Sequence, residues 1–256
     1  MDISIVIPVK NEADNIAPLV REIRAALDDF VCYEIVFVDD GSEDSTAAEV
    51  MRLAAGVPHL RLLRHAESRG QSAAIRTGVK AAHAEWIATL DGDGQNDPAD
   101  IRKLWKVGIL RSGSNPTLVN GHRKRRQDSW SKRTASRFAN AVRRRLLEDN
   151  TPDTGCGLKL FSRSLFLDLP FFDHMHRFLP ALVLREGGTV HSIPVNHRPR
   201  YRGVSKYGVF DRLGVGIVDL FGVLWLKRRA ARPHLLDELE TDRKTISDPP
   251  SAPVPR

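Results

Sequence analysis

The sequence has little cysteine, since Cys32 and Cys156 are the two cysteines among 256 residues. Two are too few for a disulfide framework or for a cysteine-rich zinc site. A reducing, cytosolic setting is the simplest interpretation.

Long hydrophobic runs are also missing. The chain begins with a strand-like segment, residues 3–7, rather than with a charged region followed by a long apolar stretch, so no signal peptide is predicted. One nearly apolar stretch, residues 213–226, has 14 residues and includes Asp219, whereas a helix that crosses a bilayer needs about 20. We therefore predict no transmembrane span.

Acidic residues are in the minority. There are 39 Lys and Arg against 32 Asp and Glu, so the net charge is +7 and the pI is about 9.7. This balance suggests an anionic partner, which could be a phosphorylated substrate, a membrane surface or nucleic acid. With 41% hydrophobic residues, the chain can bury a sizeable core in one domain, or in one domain plus an appendage.

Short β-branched segments alternate with amphipathic ones along the chain. Strands are predicted at residues 3–9, 33–38, 60–63, 86–91, 118–122 and 189–195, and helices from residue 14, from about 44, at 70–82 and from 98 to about 111. This alternation predicts a parallel α/β sheet with right-handed crossovers. In such sheets, ligands bind at the carboxyl ends of the strands.

Polar clusters follow three of these strands, at residues 8–12, 39–42 and 91–95. Asp91 and Asp93 are two residues apart, so in extended backbone they point to the same side and can share one cation. Carboxylates suit Mg²⁺ or Mn²⁺, which can in turn hold a diphosphate. An Asp-x-Asp alone is typical of ordinary turns, and Asp39 with Asp40 could simply cap the next helix. The coincidence of three clusters at one sheet edge favours a ligand site.

The second half of the chain contains a basic helix, predicted at about 129–147, with a partial apolar stripe. It could lie on an anionic membrane or bind phosphates, or it could be a solvated basic face. Residues 213–226, followed by Lys227, Arg228 and Arg229, suit an interfacial helix or one buried in a dimer or core. We predict a catalytic domain at 1–208, an amphipathic membrane-proximal or interface helix at 209–231 and a disordered tail at 232–256.

Taken together, these motifs resemble family 2 glycosyltransferases of the GT-A fold, most closely the polyprenyl-phosphate glycosyltransferases, the group that includes dolichol-phosphate mannosyltransferase. The resemblance covers residues 3–229. Its components are residues 6–12, 38–42, 70–73, 90–95, Arg137 with Asn140, 153–161, 176–180 and 202–207. It implies a Rossmann-like, mostly parallel central sheet flanked by helices, with amphipathic interfacial helices towards the C-terminus.

The resemblance also implies an activity: inverting, metal-dependent transfer of one sugar from a nucleoside diphosphate sugar to a polyprenyl phosphate, with Mg²⁺ or Mn²⁺. The residues implied to bind the nucleotide sugar are Pro8, Val9, Asn11, Glu12, Asp39, Asp40, Asp91, Gly92, Asp93, Arg123, Arg202 and Lys206. Those implied at the cation are Asp91, Asp93 and Gln95, and those at the acceptor phosphate are Arg133, Ser136 and Arg137. The catalytic set is Asp91, Asp93, Asp153, Arg202 and Lys206.

The chain departs from the family pattern in two respects. The Gln-x-x-Arg-Trp signature of processive synthases is absent, which favours one sugar per turnover, and Lys159 stands where many members have arginine. Two alternatives remain: transfer to a saccharide or small-molecule hydroxyl with Asp153 as base, or a non-catalytic basic module that binds nucleic acid or anionic membrane.

The expected partners are a GDP- or UDP-linked sugar, a polyprenyl phosphate and an anionic membrane surface, with no nucleic acid. A homo-oligomer is left open. We expect peripheral association with the cytosolic face of a membrane. For His176 and His197 we favour hydrogen-bonding or structural roles, and we expect Cys156 to fill a tight turn.

Overall fold

The computed structural model describes residues 1–111, 113, 116–123, 143, 145–199 and 209–231. The strands are β1 Ile3–Val9, β2 Tyr33–Asp39, β3 Leu60–Arg64, β4 Trp86–Thr89, β5 Thr117–Arg123, β6 Lys159–Ser162 and β7 Thr189–Val195. The α-helices are α1 Ala13–Leu27, α2 Thr46–Ala54, α3 Gln71–Ala81, α4 Ile101–Arg111, α5 Arg163–Asp168, α6 Leu179–Arg185 and α7 Val209–Arg228. Two 3₁₀ helices span Pro98–Asp100 and Met175–Arg177.

The described strands form one seven-stranded sheet in the order β3-β2-β1-β4-β6-β5-β7. β1 pairs in parallel with β2 and β4, and β2–β3 and β5–β7 are also parallel pairs. The predicted mostly parallel sheet is therefore confirmed. β6 is the exception, because it runs antiparallel to both β4 and β5. Its first residue, Lys159, consequently pairs with Thr89, the last residue of β4, and with Asn120 in the middle of β5.

Alternate residues of the central strands enter two hydrophobic cores. In β1, Ile5 and Ile7 pack on one face with residues of α1, α2 and α4, whereas Val6 packs on the other face with residues of α3, α5 and α6. All three are completely buried. Because both faces of the sheet are covered, the central strands have continuous apolar sequences rather than alternating apolar and polar residues.

Several element boundaries differ from the predicted ones. β4 ends at Thr89, two residues before Asp91, because the Asp91 backbone N–H donates to the Asn96 side chain at 3.1 Å instead of continuing the ladder. The turn that carries the two aspartates therefore closes on itself. α7, Val209–Arg228, is longer than the apolar run at residues 213–226.

Parts of the chain that carried predictions lie outside the described residues. They include most of the basic helix, of which Arg143 and residues 145–147 are described and helical, the segment 200–208 and the tail from residue 232. Within the described residues, no helix has both the length and the apolar character to cross a membrane.

Candidate active site

The loops that follow β1 and β2 are tied together at the carboxyl edge of the sheet. The Asp40 backbone N–H donates to Val9 O at 2.9 Å, and the Asn11 N–H donates to Ser42 Oγ at 2.9 Å. In return, Asn11 Oδ1 accepts from the Glu43 N–H at 2.8 Å. Asn11 has a positive φ of 52°, a conformation that asparagine tolerates better than most residues.

Asp40 holds the loop that follows β3. Its Oδ1 lies 2.7 Å from His65 Nδ1 and accepts from the Arg69 N–H at 2.8 Å. Its Oδ2 accepts from Ser68 Oγ at 2.8 Å and from the Gly70 N–H at 2.9 Å. Burial alone would raise the pKa of Asp40, but these hydrogen bonds outweigh it and lower the pKa. Both oxygens of Asp40 therefore organise the loop at residues 65–70, and its contact with the nucleotide sugar stays a prediction.

Asp39 differs from its neighbour. It is completely buried, its Oδ1 accepts from the Ser42 N–H at 3.0 Å, and its Oδ2 has no hydrogen-bond partner within the described chain. The nearest cation to Oδ2 is Arg64, whose Nε lies 3.5 Å away. A buried acceptor of this kind suits a ligand N–H.

The helix-capping alternative for these two aspartates is wrong. The N-cap of α2 is Ser45, and it is Asp44 that accepts from the Thr46 N–H, at 2.9 Å. Beside the same loops, a cavity of about 590 Å³ is bordered by Lys10, residues 41–43 and residues 64–68.

The Asp91 carboxylate is held firmly. Its Oδ1 accepts from Gln71 Nε2 at 2.9 Å, and its other side packs on Gly157, where an added Cβ would lie only 2.1 Å from Oδ2. Loss of hydration inside the site and the charge of Asp93 raise the pKa of Asp91 to about 6, although Lys159 and Arg123 act in the opposite direction. Two carboxylates that repel each other in this way are a suitable pair for a divalent cation.

The turn that carries these carboxylates is clamped by the chain that follows β7. Gln95 O accepts from the Arg198 N–H at 3.0 Å, and Gln95 Nε2 donates to Arg198 O at 3.3 Å. The Arg198 guanidinium then pairs with Asp97 at 3.0 Å and with Glu22 at 2.7 Å. Gln95 therefore lies beside the turn, and its role as a metal ligand stays a prediction.

No group of three or more His, Cys, Asp or Glu side chains in the described part of the chain could hold a metal ion by itself. This fits a Mg²⁺-type site, because that ion is usually held by one or two carboxylates and completed by substrate phosphates and water. Asp91 and Asp93 fit such a site.

Asp153 and Arg123 form a two-pronged ion pair. Asp153 Oδ2 accepts from Arg123 Nε at 2.6 Å, and Oδ1 accepts from Nη2 at 2.7 Å. The Arg123 side chain is only 14% exposed. We predicted that Arg123 contacts phosphate and that Asp153 is a candidate base. Either role requires the ion pair to open, or requires one of its two side chains to bind the substrate as well.

Sequence reasoning missed a contact next to Gln71, the residue that holds the Asp91 carboxylate. Ser72 Oγ lies 2.7 Å from His176 Nδ1, across 104 residues of chain, and burial, then the charge of Arg177, hold the pKa of His176 well below its usual range. A neutral, hydrogen-bonded His176 agrees with the role we favoured. Ser72 and His176 both lie in segments that carry the family resemblance, 70–73 and 176–180. No pattern in the sequence indicates that these two segments contact each other.

A cavity of about 140 Å³ lies beside Asp91 and is bordered by residues of both segments and of the 154–157 turn. Cys156 lies in that turn and is completely buried, and burial raises the pKa of its thiol. This placement agrees with the turn-filling role predicted for Cys156.

Five of the predicted site residues lie outside the described residues: Arg133, Ser136, Arg137, Arg202 and Lys206. Arg143, at the end of the predicted basic helix, is described and is not solvated. Its Nη2 donates to Thr151 O at 2.8 Å, and its Nη1 donates to Thr154 Oγ1. For Arg143, the solvated-face alternative is therefore wrong.

Comparison with known proteins shows the family of this chain. The model of the family described as "Glycosyl transferase family 2" matches residues 4–169, well over half of the chain. A dodecaprenyl-phosphate galacturonate synthase of Rhizobium johnstonii is 33% identical over 91% of this chain and 69% of its own length. An undecaprenyl-phosphate 4-deoxy-4-formamido-L-arabinose transferase of Edwardsiella ictaluri is 36% identical over 83% of this chain and 65% of its own length.

Solved structures share the fold. Glucosyl-3-phosphoglycerate synthase of Mycobacterium tuberculosis, in complex with Mn²⁺, UDP and phosphoglyceric acid, superimposes with a TM-score of 0.64 at 20% identity, over 90% of this chain and 80% of that one. This level of identity supports the fold and no more. The chain spans about two thirds of the length of the two relatives above. On the family match and the relatives at 33% and 36% identity, this chain is a glycosyltransferase and belongs to glycosyl transferase family 2.

Proposed function

We propose that this protein transfers one sugar from a nucleoside diphosphate sugar to a polyprenyl phosphate. The observation that carries the proposal is the Asp91 carboxylate, held between Gln71 and Gly157 beside Asp93. The acceptor class is supported by the two relatives, whose names specify dodecaprenyl and undecaprenyl phosphate.

The nucleotide would bind over the loops that follow β1 and β2. Asp39 Oδ2, which accepts no hydrogen bond from the described chain, can accept a base N–H, and the adjoining cavity has the cations Lys10 and Arg64 on its border. Pro8 borders the cavity beside Asp91, and Val9 packs against the turn of the two aspartates, since a Cβ added at Gly92 would lie 2.5 Å from Val9 Cγ1. Uridine is the first base to test, since the solved structures of this fold contain UDP.

Asp91 and Asp93 would hold a divalent cation, with Gln95 beside them. Bound there, the cation supplies positive charge that stabilises the departing diphosphate. The protein contributes the fixed direction of the two carboxylates, through the hydrogen bond from Gln71 to Asp91 and the hydrogen bond from the Gln95 N–H to Asp93 Oδ1 at 3.1 Å.

The chemistry is a single displacement, as the family resemblance implies for an inverting enzyme. An acceptor phosphate oxygen forms a bond to the anomeric carbon while the bond from that carbon to the diphosphate oxygen breaks. A phosphate monoester is already anionic near neutral pH, so it needs no strong base. The pairing of Asp153 with Arg123 favours this acceptor over a hydroxyl, which would need Asp153 as base.

Membrane association is proposed through α7. On its inner side, Val223 is buried, and Leu220 and Leu224 pack against the core. On its outer side, Ile217, Val218, Phe221 and Trp225 are between 50% and 71% exposed, and Lys227 and Arg228 follow at the end of the helix. An apolar face with adjoining basic residues is typical of a helix that lies in the interface of an anionic membrane.

The test combines purified protein, Mn²⁺, a panel of UDP- and GDP-sugars and a short polyprenyl phosphate, with nucleotide release and lipid product measured together. We expect a glycosylated lipid phosphate from one donor. A panel of saccharide hydroxyl acceptors serves as the comparison. Transfer to these acceptors without lipid product would contradict the proposed acceptor, and absence of any transfer or donor binding would contradict the proposed activity.

A further inference from the structure

Lys159 is an unusual residue for its position. It is the first residue of β6 and is only 4% exposed, although burying an ammonium group costs several kcal/mol unless it is well paired. Within the described part of the chain, no carboxylate forms an ion pair with its Nζ. The ammonium instead donates to two backbone carbonyls, Thr154 O at 3.1 Å and Cys156 O.

Both acceptors belong to the turn formed by residues 153–157, and neighbouring strands hold the carbonyls at its two ends. Asn120 Nδ2 of β5 donates to Asp153 O at 2.8 Å, and Thr89 Oγ1 of β4 donates to Gly157 O at 2.6 Å. The carbonyls of Asp153, Thr154, Cys156 and Gly157 are therefore all fixed by side chains. Lys159 supplies two of these four hydrogen bonds.

This turn forms one wall of the proposed cation and diphosphate site. Gly157 lies directly against the Asp91 carboxylate, where a Cβ would come within 2.1 Å of an oxygen. At the other end of the turn, Asp153 fixes the Arg123 guanidinium. A shift of the turn by a fraction of an ångström would therefore displace both Asp91 and Arg123.

We propose that Lys159 is a positioning residue for the donor site: its buried ammonium locks the 153–157 turn, which in turn sets the Asp91 carboxylate for the cation and Arg123 for the diphosphate. This inference rests on the proposed function, because it assumes that Asp91 holds a cation that binds the donor. It assigns Lys159 no contact with substrate.

The test compares Lys159→Met, which keeps the length of the side chain but removes the ammonium, with Lys159→Arg, which keeps a buried cation that can donate to carbonyls. Lys80→Met is the matched control, because Lys80 is exposed near the end of α3, away from the carboxyl edge of the sheet. Binding of UDP and of GDP is measured by calorimetry with and without Mn²⁺, and the thermal midpoint of each variant is recorded.

Mn²⁺ should raise the nucleotide affinity of the wild type, and we expect Lys159→Met to reduce this increase by about tenfold or more. A loss of this size is usual when an outer partner of a metal ligand is removed. Binding without metal should fall less, because it loses only the contribution of Arg123 and the turn does not border the cavity beside Asp39. Lys159→Arg should recover part of the loss, and Lys80→Met should behave as wild type.

A folded Lys159→Met protein with unchanged Mn²⁺-dependent affinity would overturn the inference. An equal loss with and without metal would also overturn it, because it would indicate a general structural role. If Lys159→Met does not fold, Thr89→Val replaces it in the test, because it removes another hydrogen bond to the same turn. An unchanged effect of Mn²⁺ on the nucleotide affinity of Thr89→Val would then overturn the inference. If wild type binds neither nucleotide, the proposed function itself fails and the inference falls with it.

Discussion

At the scale of the residue, neighbouring acidic side chains of this site have different functions. Asp39 keeps a buried oxygen without a hydrogen-bond partner in the described chain, whereas both oxygens of Asp40 are occupied by the loop at residues 65–70. Asp91 is fixed by contacts on both sides. Residue type alone does not distinguish these cases, because the difference lies in the hydrogen-bond partners.

The first prediction concerns Asp93. We expect Asp93→Asn to remove Mn²⁺-dependent nucleotide binding and to lower kcat/KM by about 100-fold or more, because one of two charged ligands is lost. Calorimetry with UDP and Mn²⁺ and the transfer assay measure the two effects. Asp29→Asn, at an exposed position beyond the end of α1, is the control. Near-normal turnover of Asp93→Asn would exclude the assigned metal role.

The second prediction separates Asp39 from Asp40. We expect Asp39→Asn to weaken nucleotide binding with little loss of stability. We expect Asp40→Asn to lower the free energy of unfolding by about 1–3 kcal/mol, because an amide cannot accept all four hydrogen bonds that the carboxylate accepts. Urea unfolding and nucleotide titration of both variants provide the measurement. The opposite pattern would show that Asp40, not Asp39, contacts the ligand.

At the scale of the element, the antiparallel β6 and the amphipathic α7 shape the site and its surroundings. Because β6 begins where β4 ends, the turn that precedes it lies at the carboxyl end of β4 and meets Asp91. α7 is joined to the body by Val223 and by the Arg185 Nε–H, which donates to Leu226 O at 3.0 Å. Its outer face remains apolar and exposed.

The third prediction concerns this outer face. We expect Phe221→Ser combined with Trp225→Ser to reduce binding to vesicles that contain anionic lipid by about tenfold or more, because two large apolar side chains no longer enter the interface. Nucleotide binding should be unchanged. Leu110→Ser, at a residue of α4 that is 81% exposed, is the matched control. Unchanged vesicle binding together with a changed oligomeric state would indicate that the face binds another copy of the chain.

At the scale of the whole molecule, stability depends on groups at the opposite edge of the sheet from the site. Glu34, at the start of β2, is 1% exposed. It accepts from Ser4 Oγ at 2.5 Å, from Arg61 Nη1 at 2.7 Å and from the His83 N–H at 2.7 Å. Burial raises the pKa of Glu34, but these hydrogen bonds outweigh it and lower the pKa to about 2.

The fourth prediction follows from this shift. Because the folded pKa of Glu34 lies below its unfolded value, its contribution to stability is present above about pH 4.5 and is lost as the pH falls towards 2. We expect Glu34→Gln to lower the free energy of unfolding by about 1–3 kcal/mol at pH 7, and by progressively less below pH 4.5. Urea unfolding of both proteins across this pH range gives the difference. A difference independent of pH would contradict the assigned ionisation.

The sequence by itself determined the α/β class, the polar clusters at the strand ends and the resemblance to family 2 glycosyltransferases. These features depend on periodicity and on residues close together in the chain, such as Asp91 and Asp93, so they can be recognised locally.

Only the tertiary structure decided that β6 runs antiparallel, that Asp40 is occupied, that Asp153 binds Arg123 and that Ser72 meets His176. Each of these depends on strand register or on contacts between residues about 25 to 104 positions apart. Such contacts are set by how the whole core packs, and nothing in a local pattern encodes them. For the same reason, the sequence shows Lys159 only as a departure from the family pattern, whereas its two carbonyl partners are brought to it by the tertiary structure.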